Sequence, residues 1–192
     1  QAYLGEPQEG QRVLATPGAN SNVPLWVLGS SLYGASLAAA LGLPYAFASH
    51  FAPQMMDQAI ALYRESFKPS AQLDKPYVML GYNIVAADTE KEAQYLRSSG
   101  EQAMLNLRRG MPGPLPAPIA NFRDTLGDME LRMLDDVARC AAVGSQAQVQ
   151  AQLDEFVAST GADEVMVVAQ IYDHDSRLKS YELAASAMAA AA

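Results

Sequence analysis

Apolar and polar positions along the chain repeat in one order: a short apolar run, then a longer segment with helical spacing. Pro24 to Gly29 is apolar and ends in Gly29-Ser30-Ser31, a strand that meets a turn. Leu32 to Leu41 is rich in Ala and Leu and closes at Gly42, a residue suited to a helix C-cap. Pro44 to Ser49 reads as a second strand. Gln54 to Phe67 then sets Met55, Ala59, Leu62 and Tyr63 at helical spacing. Tyr77 to Ala87 is a long strand in which Gly81 suggests a bulge. Thr89-Glu90-Lys91-Glu92 is a capping box that opens a helix running to about Leu107.

Residues 110–118 break this order. Pro112, Pro114, Pro116 and Pro118 alternate with small or apolar residues, so the segment is an extended loop. Its length favours a lid or a disordered segment over a simple turn. A helix follows from about Met129 to Ala142, and Ser145-Gln146-Ala147-Gln148 makes another capping box. Val149, Leu153, Phe156 and Val157 fall on one face of that next helix, which ends at Gly161. Glu164 to Ile171 is a fourth strand, and a last helix from about Ser176 fades into an Ala-rich tail. Residues 1–23 read mostly as loop, with a short strand at Arg12–Ala15.

The result is four β-α units in a single domain, 1–192, of α/β class. The strands are apolar on both faces, as in parallel sheets covered by helices. Two architectures fit: an open doubly wound sheet, or half of an eight-stranded β/α barrel, which takes about 250 residues when whole. Four strands cannot close a barrel. Their two outer edges are therefore expected to be covered, by a second copy in a homo-oligomer or by a missing N-terminal half.

Composition narrows the function. The net charge is -8, which argues against a nucleic acid as the main partner, because phosphate neutralisation needs surplus Lys and Arg. Cys140, the single cysteine, cannot form an internal disulfide, and this fits a reducing compartment. The apolar stretch Leu32–Phe51 is broken by Gly42 and Pro44, so no membrane span is expected. The first residues show no basic stretch followed by an apolar one, and the expected location is cytoplasmic.

Candidate chemistry centres on Gly29-Ser30-Ser31-Leu32-Tyr33-Gly34, where a strand ends and a helix begins. Glycines allow close backbone approach, the serines offer hydroxyls, and the first helical turn offers free N–H groups and the positive dipole end. These suit a phosphate. The same residues also suit an ordinary Gly-Ser turn with a Ser N-cap. A P-loop is excluded because Ala35-Ser36 stand where Lys-Ser/Thr is needed. A nucleophile elbow is excluded because Tyr33 stands where glycine is needed. The spacing does not fit a dinucleotide-binding Gly-rich fingerprint either.

Val23-Pro24-Leu25-Trp26-Val27-Leu28-Gly29-Ser30-Ser31, followed by Gly42-Leu43-Pro44-Tyr45-Ala46-Phe47-Ala48-Ser49-His50-Phe51-Ala52-Pro53, resembles the luciferase-like flavin-dependent monooxygenases. Ala15-Thr16-Pro17-Gly18 and the stretch from Val143-Gly144-Ser145 to Val165-Met166 are similar too. The resemblance implies the C-terminal half of a TIM (β/α)8 barrel, from its fifth strand on. It implies FMN, supplied reduced by a separate flavin reductase, and O₂ used to oxygenate a small organic substrate. By position it places the FMN phosphate at Ser30, Ser31, Tyr33 and Gly34. It also implies contacts from four earlier strands, so this chain alone is expected to bind FMN weakly or not at all. The alternatives are a non-catalytic flavin-binding protein, an inactive fragment of such an enzyme, or an F420-dependent oxidoreductase on the same barrel.

His50 lies just past the second strand, on the face where β/α barrels carry catalytic groups. It is the candidate catalytic residue, set against a structural role in anchoring its loop. Asp173-His174-Asp175-Ser176 is too sparse for a metal site, and helix capping by Asp175 or Ser176 explains it better. Cys140 and Met55-Met56 read as core residues.

Overall fold

The computed structural model describes residues 2–189. Five parallel strands form one unclosed sheet: β1 Val27–Gly29, β2 Tyr45–Phe47, β3 Val78–Ala87, β4 Ala141–Ser145 and β5 Glu164–Val168. Six α-helices accompany them: α1 Leu32–Leu41, α2 Met56–Ser66, α3 Glu90–Arg108, α4 Asp128–Ala138, α5 Gln146–Thr160 and α6 His174–Ala189. The fold is thus α/β, an unclosed parallel sheet compatible with part of a β/α barrel; α1, α2, α5 and α6 pack on one face, and α3 and α4 lie across the other, where all helices were expected outside. Residues 190–192 of the Ala-rich tail lie outside the described residues.

β3 organises the sheet. Its first residues pair with β2 (Tyr45 with Val78, Phe47 with Leu80) and its last with β4 (Asn83 with Ala141, Ala87 with Ser145). β5 pairs with β3 from Met79 to Asn83. Met79 and Leu80 face both β2 and β5, and Asn83 faces both β4 and β5. It follows that β2 and β4 share one edge of β3 and β5 takes the other.

Alternation along the strands separates two faces. Tyr45, Phe47, Val78, Leu80, Tyr82, Ile84 and Ala86 point to the helices and form the core with Ala35, Ala38, Ala59, Tyr63, Val149, Leu153 and Phe156. Aromatic rings tie this core together, with Tyr82 and Phe156 stacked at 4.3 Å and Tyr45 and Tyr63 at 5.4 Å. Leu28, Ala46, Met79, Gly81, Asn83, Val85, Met166 and Val168 face the other, concave side. That side is open at its margins: Leu28 is 72% exposed and Met166 54%.

Several sequence expectations change here. β4 is a fifth strand where the helix from Met129 was expected to continue to Ala142; that helix ends at Ala138. Arg12–Ala15 forms no strand. Gly81 makes no bulge, since the β3–β5 register runs unbroken through Gly81 and Met166. The last helix begins at His174, and its first turn is capped by Asp173, whose carboxylate accepts from Ser176 N at 2.8 Å, rather than by Asp175 or Ser176. Val157, expected on the buried face of α5, is exposed. The caps at Gly42 and Gly161 are as expected, both left-handed, at φ 61° and 60°.

Candidate active site

The turn from β1 into α1 is held from below by Tyr45, whose hydroxyl donates to Ser31 O at 3.1 Å. Burial pushes that phenol up to about 12, so it stays a donor at neutral pH. Ser31 occupies the N-cap position with extended backbone (φ -144°), yet its hydroxyl makes no capping bond. The first turn of α1 carries no acidic side chain. A Cβ placed on Gly29 or Gly34 would meet its neighbours at 3.4 Å or more, ordinary contact, and neither residue has a positive φ. The bare faces of the two glycines instead turn toward each other and the Tyr45 ring, which packs the turn closely onto β2. Ser30 and Ser31 are exposed, Tyr33 is 76% exposed and Gly34 is buried.

β2 brings His50 to the same end of the sheet. Gly29 pairs with Phe47, and Ala48 N donates to Gly29 O at 2.9 Å, so the loop after β2 sits beside the start of the turn. Two bonds fix this loop to β3. Ser49 Oγ, fully buried, donates to Gly81 O at 2.6 Å, and Asn83 Nδ2 donates to His50 O at 2.8 Å. The imidazole lies against bare backbone: a Cβ on Gly81 would fall 2.0 Å from His50 Nδ1. Glycine at 81 is thus the space for the ring. His50 Nδ1 is buried without a partner, and burial lowers the pKa of the ring, so it is neutral at pH 7.

His50 lines a cavity of about 410 Å³ on the concave side, within the usual range for small-molecule sites. Its walls are mostly apolar, including Leu28, Phe51, Met79, Val85, Met104 and Met166. α3 and α4 roof it, and the Arg108 guanidinium stands 5.8 Å over the Phe51 ring, joining roof to floor. Arg97, Glu101 and Gln170 add polar groups. Ser30, Ser31, Tyr33 and Gly34 do not line this cavity; Leu28, at the end of β1, does. The Pro-rich segment does not line it either. It runs back along α3, with Gln102 Nε2 donating to Ala117 O and Ile119 N to Ser98 Oγ.

Ser49, Gly81, Asn83, Arg97 and Glu101 are site residues that the sequence pattern did not single out. Among the described residues no group of three or more His, Cys, Asp or Glu side chains could hold a metal. His174 instead faces Arg177 at 2.8 Å. Cys140 is buried beside Met56 Sδ at 3.8 Å, and burial pushes its thiol up to about 11, so it is an inert core residue. No described helix is long and apolar enough to cross a membrane.

The unclosed parallel sheet, with a histidine-lined cavity on one face, is compatible with part of a β/α barrel. The chain belongs to the luciferase-like monooxygenase family, whose model matches residues 2–164. It is 49% identical over 172 residues to a luciferase-like monooxygenase of Escherichia coli strain K12, covering 90% of this chain and 51% of that protein. It is 43% identical over 174 residues to the uncharacterised protein YvbT of Bacillus subtilis strain 168, covering 91% of this chain and 52% of YvbT. Among solved structures, apo-MsnO8 superposes with a TM-score of 0.78 at 31% identity, over 97% of this chain and 57% of that one. The chain spans about half the length of the curated relatives it matches.

Proposed function

We propose that this chain is the FMN-phosphate-binding half of a flavin-dependent monooxygenase that oxygenates a small organic substrate with O₂, its reduced FMN delivered by a separate flavin reductase. One observation carries the reading. Gly29, just before the turn at Ser30–Gly34, accepts from Ala48 N, two residues before His50, so the turn and the cavity-lining histidine lie at the same end of the sheet.

The residues present fit the group. The free Ser31 hydroxyl and the first-turn N–H groups of α1 are what a phosphate ester takes. Tyr33, fully outward in this chain, adds a further hydroxyl at the same turn. Reduced FMN supplies the electrons that activate O₂. The chain's own part is to anchor the phosphate, exclude water with the apolar wall from Leu28 to Met166, and offer a hydrogen bond. His50 does the last: with Nδ1 turned into the protein, Nε2 is the nitrogen left for a ligand, on a ring kept neutral by burial.

Anaerobic titration of reduced FMN tests this, with this chain compared to a form carrying all eight β/α units. Saturable binding to the longer form, with weak or absent binding to this chain, is expected. No binding to the longer form overturns the reading.

A further inference from the structure

The cavity contains a charge that its apolar walls do not explain. Arg97, on α3, is only 17% exposed and lines the cavity. Its Nε lies 2.8 Å from Glu101 Oε1, on a carboxylate that is 7% exposed. The same oxygen also takes Arg123 Nε at 3.0 Å. Arg123 then reaches Asp135, which is 62% exposed, so that outer pair faces water, where it is screened.

Glu101 is thus shared by two cations; Asp135 answers Arg123, and Arg97 leans on Glu101 alone. The terminal nitrogens of Arg97 make no hydrogen bond to protein among the described residues, although a guanidinium offers five donors. Burial also lowers the Arg97 pKa, the mark of a cation held at a cost in solvation. Helix stability does not account for the pair either. With Arg97 N-terminal to Glu101 at i,i+4, the order is the less favourable one.

We propose that Arg97 selects the substrate of this cavity by holding an anionic oxygen, so that the substrate class is an apolar molecule bearing one carboxylate or equivalent acidic group. The inference rests on the reading of the cavity as the ligand site of a monooxygenase. Glu101 and Arg123 are positioning residues: they fix the guanidinium by its Nε and leave its outer edge for the ligand. Gln170, whose side chain packs against Gly100 one residue before Glu101, supplies a neutral polar neighbour on the opposite strand end. A charge-assisted bond is about twice as strong as a neutral one, enough for discrimination between an acid and an alcohol.

The test compares octanoate with octanol by calorimetry on this chain, with no flavin present. The wild type is expected to prefer octanoate by at least about tenfold. Arg97→Gln should bring the ratio to about one, and Arg97→Lys should keep it within roughly threefold of wild type, since the cation remains. A wild-type ratio near one, or an unchanged ratio in a folded Arg97→Gln, overturns the proposal. If circular dichroism shows Arg97→Gln unfolded, the arginine side-chain NMR signals of the wild type decide. Octanoate should shift the Arg97 Nε–H signal; a shift at Arg123 alone, or at neither, overturns it. A parallel titration of reduced FMN on the form carrying all eight β/α units separates the two readings. Arg97→Gln that weakens FMN while leaving the octanoate ratio intact assigns the guanidinium to the flavin and overturns the proposal. Loss of FMN binding elsewhere, with the octanoate preference intact, counts against the flavin reading alone.

Discussion

The helix starts in this sheet are finished in two different ways. At α3, Thr89 Oγ1 accepts from Glu92 N at 3.2 Å, and Glu90 and Glu92 put negative charge on the first turn. At α5, Gln148 Oε1 reaches back to Ser145 N at 2.9 Å, and at α4 Glu130 does the same to Gly127 N. At α1 neither device is present: the Ser31 hydroxyl makes no cap bond and no acid stands in the first turn. The first three helix starts are satisfied from within the chain. The fourth, where the family resemblance implies the phosphate, has neither device, and the proposed function gives it to an external anion. The contrast teaches that the same bare helix end can be closed from within the chain or left without an internal partner.

Swapping the two treatments should break the contrast. Ser31→Asp in the eight-unit form puts a carboxylate where the phosphate would lie, and reduced FMN affinity should fall by more than about tenfold. Unchanged affinity would mean that the phosphate sits elsewhere. The next largest effect concerns the His50 cradle. Gly81→Ala places a methyl group where the imidazole lies and should destabilise the chain by about 1–3 kcal/mol in urea unfolding. In a His50→Ala background the same change should cost far less, because the ring is gone. Equal costs in both backgrounds would show that Gly81 serves something other than His50.

A closed helix start gives a smaller signal. Thr89→Ala removes a cap bond and should cost about 1 kcal/mol of stability while leaving flavin affinity alone. A change in flavin affinity would show that α3 and the phosphate turn are not independent. The smallest effect is in pH. Burial lowers the folded pKa of His50 below its unfolded value of about 6.5, so below that pH the unfolded chain takes up the proton first. Stability contributed by the neutral ring is lost as pH falls through this value. The wild type should lose more stability than His50→Asn between pH 7.5 and 5.5, measured as the difference in melting temperature. Parallel losses would show that the ring titrates alike in both states.

Much of this was legible because local signals suffice for it. Gly42 and Gly161 mark helix ends that need a left-handed residue, and Thr89 marks a helix start. The apolar runs at β1, β2, β3 and β5 are long enough to stand out as strands. β4 was not, because Ala141 follows α4 after only two residues and its Ala-Ala-Val composition continues a helical pattern. Pairing with the far end of β3, not propensity, makes it a strand. The role of Gly81 was hidden for a related reason: it depends on a side chain 31 positions away whose direction is set by the β2–β3 pairing. Arg97 and Glu101 carry no local signal of burial; the placement of α3 across the cavity makes them interior. Ser30, Ser31, Tyr33 and Gly34 stand together at the β1–α1 turn, which reaches the cavity only through Leu28.

The pairing pattern of β3 also makes this sheet a star and not a ladder. Remove that one strand and what is left is the β1–β2 pair, β4 alone and β5 alone. A ladder can fray one rung at a time from its ends, whereas a star has a hub whose loss disconnects every arm at once. The sheet is also assembled out of chain order. Within this chain β1 and β2 precede the hub β3, and β5, later in sequence than β4, pairs along the edge of β3 opposite to β4.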